Sequence, residues 1–174
     1  MGAVETLQGA TEALELTYSQ LHGVGVVPVA SPAGFEESVE INAEAIGMFG
    51  LSDDSVSFRA RFAVGADQFR DLWIDVSSTY NVSPGYEFSK EAFLEFANLV
   101  ALPALWTQAQ SLLDPLLVSA GFPPGVLPPP GALGGDVFAG SRLPERIGAD
   151  SMGGLLADEQ LTVPEPPRFD LEFG

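Results

Sequence analysis

The chain has 174 residues, with 24 acidic and 7 basic side chains and a formal charge of −17. That length gives one domain with a core and tails, and that charge disfavours a nucleic-acid backbone or an anionic membrane as partner. Cysteine is absent and histidine occurs once, at His22, which excludes thiolate zinc sites, histidine triads and Cys–His nucleophilic pairs.

Residues 1–11 are small and polar and are expected to be a flexible start. No basic region precedes an apolar run there, so no signal peptide is expected, and with no cysteine the cytoplasm is the expected compartment. From Glu12 the pattern alternates, with Leu14, Leu16 and Tyr18 on one face and Glu15, Thr17 and Ser19 on the other. This predicts a half-buried strand that Gly23, Gly25 and Pro28 bend or end, with Val24–Val29 as a second short limb.

A second strand is predicted over Phe35–Phe49, where Val39, Ile41, Ala43 and Ala45 alternate with Glu40, Asn42 and Glu44. Residues 50–54 make a hairpin loop. The third strand, Ser55–Val64, sets Val56, Phe58, Ala60, Phe62 and Val64 against Ser57, Arg59 and Arg61. The fourth, Phe69–Val82, sets Leu72, Ile74, Val76 and Ser78 against Asp71, Trp73, Asp75 and Ser77. Links this short make the second to fourth strands an antiparallel meander. Its polar face carries acid, base and acid in order, and opposite charges on neighbouring strands support the pairing by about 0.2–1 kcal/mol each.

Asn81–Phe88 reads as a loop, and a long apolar helix follows from Ser89 to Gly121. Ser89 is a suitable N-cap, and Glu91 suits the positive end of the helix dipole. Phe93, Phe96, Ala97, Val100 and Ala104 recur at three- and four-residue steps. Leu105, Leu112, Leu113, Leu116 and Leu117 then broaden the apolar face beyond what one small sheet covers, which predicts contact with a second copy. Pro103 and Pro115 are expected to bend or restart the helix. The run Phe93–Trp106 is interrupted by Glu95, Asn98 and Pro103 and falls short of the roughly 18–20 apolar residues of a membrane span. Gly121 stops the helix, and Phe122-Pro-Pro and Pro128-Pro-Pro impose an extended path. Residues 131–174 form a Gly/Pro-rich acidic tail, with one short helix predicted near 143–147 and with Phe169, Leu171 and Phe173 alternating with acids at its end.

No chemistry-bearing motif accompanies these elements. There is no Gly-x-Gly-x-x-Gly turn, Walker sequence, Gly-x-Ser-x-Gly elbow or calcium loop, so no catalytic residue, metal or cofactor is assigned.

Four strands, a long helix and an apolar-Pro-Pro exit resemble the SecB family of protein-export chaperones and its SecB-like relatives. The likeness spans about Leu14 to Pro130. It is carried most by Asn98, Leu102-Pro103-Ala104, Ala120-Gly121-Phe122-Pro123-Pro124 and Leu127-Pro128-Pro129, and by Leu72-Trp73-Ile74-Asp75-Val76. The family's charged pair after the helix-entry proline is replaced here by Ala104-Leu105-Trp106-Thr107-Gln108.

The resemblance implies an α+β fold of a four-stranded antiparallel sheet followed by a long helix. It implies a cytoplasmic homo-oligomer, tetramer or dimer, and an ATP-independent holdase for non-native polypeptide clients. The partners it implies are SecA or an antitoxin. It places client contacts at Leu72, Ile74, Val76, Tyr80, Phe122 and Val126 and docking acids at Glu40, Glu44, Asp71 and Asp75. Oligomer contacts fall at Leu105, Leu112 and Leu116. The contrasting class is an interaction or adaptor protein with one fixed folded partner.

Overall fold

The computed structural model describes residues 2–28, 42–52, 54–66, 69–119, 124–130, 133, 137–138, 143 and 145–148. It has the expected four-stranded antiparallel sheet and long helix. The strands are β2 (Leu14–Pro28), β3 (Asn42–Leu51), β4 (Ser55–Ala66) and β5 (Phe69–Val82), in the order β2-β5-β4-β3. β3, β4 and β5 form the meander, and β2 returns to pair with β5. The alternation that predicts β4 is obeyed throughout: Val56, Phe58, Ala60, Phe62 and Val64 are all buried on one face.

The helical layer is continuous from Lys90 to Ser119 in three pieces. α2 (Lys90–Phe96) starts at Ser89, whose hydroxyl accepts from the Ala92 N–H at 3.2 Å. A π-helical turn (Ala97–Ala101) follows, then α3 (Leu102–Ser119). The wider turn sits immediately before Pro103, where a regular helix would lack a donor and meet the ring. Pro115 is accommodated inside α3. Gly121 lies outside the described residues. α2 and α3 lie across β4 and β5, and their aromatic rings interlock with the sheet. Phe58 meets Phe93 at 5.4 Å and Phe96 at 5.8 Å, Tyr80 meets Phe96 at 5.3 Å, and Phe62 meets Trp106 at 4.8 Å between ring centroids.

Three expectations are corrected. The start is not frayed: β1 (Gly2–Val4) and α1 (Leu7–Ala13) are ordered, with Thr6 capping α1 by accepting from the Gly9 N–H at 3.2 Å. Asn81–Phe88 is not all loop, because Tyr86–Ser89 forms β6. The segment near 143–147 gives no helix but a strand, β7 (Arg146–Gly148). β1 pairs in parallel with β6, and β7 antiparallel with β6. This small sheet buries Val4, Phe88 and Ile147. Each strand in it is three or four residues long, too short for periodicity to declare it, and each gains its partner only from distant sequence.

β2 also departs from its reading. It is one strand, not two limbs, with irregularities between Leu16 and Tyr18 and between Leu21 and Gly23. The extra residue at Thr17 reverses the phase of the strand. Leu16 therefore opposes Tyr80 on the helix side, while Tyr18 opposes Thr79 on the outer side.

Candidate functional site

The helix-facing side of the sheet falls into three strips with different covers. Over β4 and β5 lie α2, the π-helical turn and α3. Over β3 lie Val137 and Phe138: the Phe138 ring is 5.6 Å from Phe58, and a Cβ on Gly47 would come within 2.7 Å of it. Asn98 fixes that segment, its Oδ1 accepting from the Phe138 N–H at 3.1 Å. Over β2 the cover ends early: Leu14 is buried, but Glu15 to Gly25 are not. Leu16 is 53%, Leu21 43% and Val24 43% exposed, although all three point to the helix side.

The flanks of α3 explain the difference. On one flank, Trp106 Nε1 and Gln110 Nε2 both donate to the Pro128 carbonyl, at 2.9 and 2.7 Å. That fastens the extended segment 124–130 along the helix and leads the chain towards β3. Leu112 and Leu116, four residues apart, fall on the opposite flank by helical geometry, and both are partly exposed. Leu112 and Leu116 on this flank and Leu16, Leu21 and Val24 of β2 are thus the candidate walls of an apolar trough. Scattered exposed leucines need no explanation, but exposed sets on two elements are a candidate surface.

The residues expected to hold clients are distributed otherwise. Leu72, Ile74, Val76 and Tyr80 are buried beneath the helices, so they are core and present no surface in this form. The correction has a plain cause: β5 is a central strand directly under α3, and the exposed face belongs to its neighbour at the edge. Val126 is half-buried, and Phe122 lies outside the described residues. Of the expected oligomer contacts, Leu105 is fully buried within the chain, whereas Leu112 and Leu116 remain available. The sequence signal for the trough was present in Leu16, Leu21 and Val24, but it needed the phase changes at Thr17 and His22 to be read.

The outer face of the sheet carries the second correction. Asp75 is not a free docking acid. It is 2% exposed and gripped by two arginines of β4. Arg59 Nε and Nη2 donate to its Oδ1 and Oδ2 at 2.7 and 2.8 Å, and Arg61 Nη2 donates to Oδ2 at 2.9 Å. Arg61 also lies over the Trp73 ring, 5.1 Å from its centroid, and Trp73 in turn lies against Gly23 and Gly25 of β2. Glu40 lies outside the described residues, as do the side chains of Glu44 and Asp71. His22 shares a 2.7 Å hydrogen bond with the Ser77 hydroxyl. Burial first, and then the Arg59 charge, lower its pKa below the ordinary value, against the pull of Asp75.

Burial alone would raise the Asp75 pKa, but the hydrogen bonds and charges of Arg59 and Arg61 outweigh it and hold the carboxyl below its ordinary range. A carboxylate with a lowered folded-state pKa stabilises the fold above its unfolded value and loses that contribution as pH falls through the folded value. The contribution of this network is therefore complete above about pH 4 and disappears below it. Asp75→Asn should cost about 2 kcal/mol at neutral pH, because two half-screened arginines lose their counter-charge. The difference between the two chains should shrink in urea unfolding as the pH falls below about 4 towards the lowered folded-state value. A difference that persists unchanged there would contradict the assigned role.

No protein-family model and no curated protein matches the chain. Solved structures do so by shape. The Mycobacterium tuberculosis SecB-like chaperone Rv1957, in complex with a ChAD peptide from the HigA1 antitoxin Rv1956, aligns with a TM-score of 0.57 at 10% identity, covering 68% of this chain and 88% of that one. The chain has a SecB-like fold. At that identity the likeness concerns architecture. Among the described residues no helix is long and apolar enough to cross a membrane, and no three His, Cys, Asp or Glu side chains are grouped to hold a metal ion.

Proposed function

We propose that this chain is an ATP-independent holdase, acting in the cytoplasm as a homo-oligomer, that shelters non-native polypeptide on the trough between β2 and α3. The observation that carries this reading is the exposure of Leu16, Leu21, Val24, Leu112 and Leu116, beside β4 and β5 residues that are buried under the helices. Apolar burial is non-directional, so such a surface takes unfolded segments with little sequence demand. Binding the unfolded state draws it away from aggregation by mass action, with no nucleotide required. The formal charge of −17 keeps the exposed apolar surface soluble. Leu99 and Val118, exposed on the helical layer outside the trough, are the proposed contacts between copies, and Leu112 and Leu116 are left to the clients.

A second reading is an adaptor for one defined partner, such as an antitoxin. It is favoured by the bound antitoxin peptide in the structure that shares this fold. Export through SecA would need docking acids other than Asp75.

One experiment separates these readings. Several unrelated denatured proteins are diluted into buffer with the chain, their light scattering is followed, and the soluble complexes are sized by gel filtration with light scattering. The holdase reading expects suppression for each of them near stoichiometric ratio, in complexes containing more than one 18.3 kDa subunit. Unchanged scattering for all but one partner establishes the adaptor, and unchanged scattering for all removes both.

A further inference from the structure

The outer face of the sheet, turned away from the trough, holds a pair of cations that client holding does not use. Arg59 and Arg61 on β4 both reach Oδ2 of Asp75 through Nη2, at 2.8 and 2.9 Å. One carboxylate oxygen thus draws two guanidinium groups side by side. Asp75 lies buried beneath them, while both arginines are partly exposed, so a molecule approaching this face meets N–H donors and not the acid. The bonds to Asp75 leave the Nη1 groups of both arginines without an acceptor among the described residues. Arg61 is the less satisfied of the two, because it gives Asp75 a single bond and its buried Nε has no partner.

Apolar side chains stand on either side of the pair. Trp73 of β5 lies beneath Arg61, seated on Gly23 and Gly25 of β2, where neither residue has a Cβ to obstruct it. Met48 of β3 stands opposite Arg59 in the ladder. Both are half-buried. Neighbouring strands are about 4.8 Å apart, so the row from β5 through β4 to β3 is about 10 Å wide. Arginine, methionine and an aromatic ring gathered in one patch are the residue types enriched where proteins meet partners.

We propose that this patch docks a peptide segment of a partner protein, with an Asp or Glu side chain of the segment held between Arg59 and Arg61 and apolar side chains of the segment over Trp73 and Met48. The patch lies on the face opposite the trough and is independent of client holding.

Charge selects a single acid as the group recognised. The two arginines exceed Asp75 by one positive charge, and His22, with its lowered pKa, adds none at neutral pH. Further acids border the patch at one end: Glu44 stands opposite Ala63, and Asp71 is two residues from Trp73 along β5. A polyanion such as a nucleic acid or an anionic membrane is repelled by these and by the formal charge of −17. One carboxylate matches the local excess, because salt screens exposed charges beyond roughly 8 Å. Guanidinium groups also hold a carboxylate through charge-assisted, fork-like hydrogen bonds, which a neutral amide does not match. Shape selects an extended segment. A sheet face is flat and lets such a segment lie across it, whereas a free anion is best held by donors converging in a concavity.

The test uses a short peptide, acetylated and amidated so that it has no terminal charge, with the core Leu-Ser-Glu-Ser-Leu. Its counterpart has Gln in place of Glu. Binding to the full chain is followed by tryptophan emission: Trp73 lies in the patch, and the other tryptophan, Trp106, is fully buried on the far side of the sheet. The Glu peptide should bind about tenfold more tightly than the Gln peptide. Ile46→Asp sets a carboxylate opposite Arg61 at an exposed position, so the chain stays folded, and it should weaken the Glu peptide about tenfold. Tyr86→Asp adds the same charge at an exposed position of β6 and should leave the affinity unchanged. No binding of the Glu peptide, or equal binding of the two peptides, overturns the proposal. Equal weakening by the two substitutions overturns it as well, since the charge of the whole chain would then govern the affinity. So does displacement of the peptide by an equal concentration of inorganic phosphate, which would make the face a simple anion site.

Discussion

Replacing Trp106 by alanine is expected to lower the unfolding free energy by about 3–5 kcal/mol, the usual cost of emptying a large aromatic site in a packed core. Trp106 is fully buried, its ring lies 4.8 Å from that of Phe62, and its indole N–H is one of two donors holding the Pro128 carbonyl. The residue thus joins three layers: β4 below, α3 itself, and the extended segment on the helix flank. A loss of this size should lower the melting temperature by roughly 10 °C in a domain of this length. Trp106→Phe separates the two contributions. It keeps most of the ring and removes the N–H, while Gln110 still donates to the same carbonyl. Its cost should be about 1–2 kcal/mol. Chemical denaturation of the three chains, compared at equal slope, is the measurement. A Trp106→Ala chain within 1 kcal/mol of the parent would mean that the helix is not seated on the sheet as described.

The paired substitution Leu21→Asp and Leu112→Asp is expected to abolish client protection while leaving the fold intact. Both side chains are already partly exposed, at 43% and 37%, so the folded chain loses little by the change. A bound client loses more. Two leucines no longer bury against it, at about 1–2 kcal/mol each, and two carboxylates in the trough must be desolvated. That amounts to a roughly thirtyfold or greater weakening. The control is Ile46→Asp. Ile46 is 63% exposed, more than either leucine, but stands opposite Arg61 on the outer face of the sheet. It should protect clients as well as the parent chain does. Equal loss in the control and the paired variant would show that added negative charge, and not the trough, governs binding. Aggregation of a denatured protein, followed by scattering with each variant at equal concentration, decides between them.

Much of the architecture was legible because it is written locally. Val56 to Val64 alternate without a break, and a strand follows wherever such a run can bury one side. The helix from Ser89 was legible from its cap and its three- and four-residue steps. Even the place of trouble around Pro103 was visible, although its resolution as a wider turn was not. The site was less legible for two reasons. Leu72, Ile74 and Val76 look as apolar as any groove lining, and nothing in their own order says that β5 is central and covered. Asp75 looks like any alternating acid until Arg59 and Arg61 are found on the adjoining strand, closing on it from two positions.

The sequence by itself determined the four long strands and the helix from Ser89, because each such choice depends on contacts within a few residues; α1 and the small sheet escaped it. It also determined the acidity, and the lack of any cysteine or histidine cluster for covalent or metal chemistry. Only the tertiary structure decided which apolar residues are hidden. That depends on strand order, on one inserted residue at Thr17 that turns Leu16 and Tyr18 to opposite faces, and on which flank of α3 the Pro128 segment takes. Burial is a property of neighbours brought from far along the chain, so the trough beside β2 exists only once the sheet, helix and exit segment have taken their places.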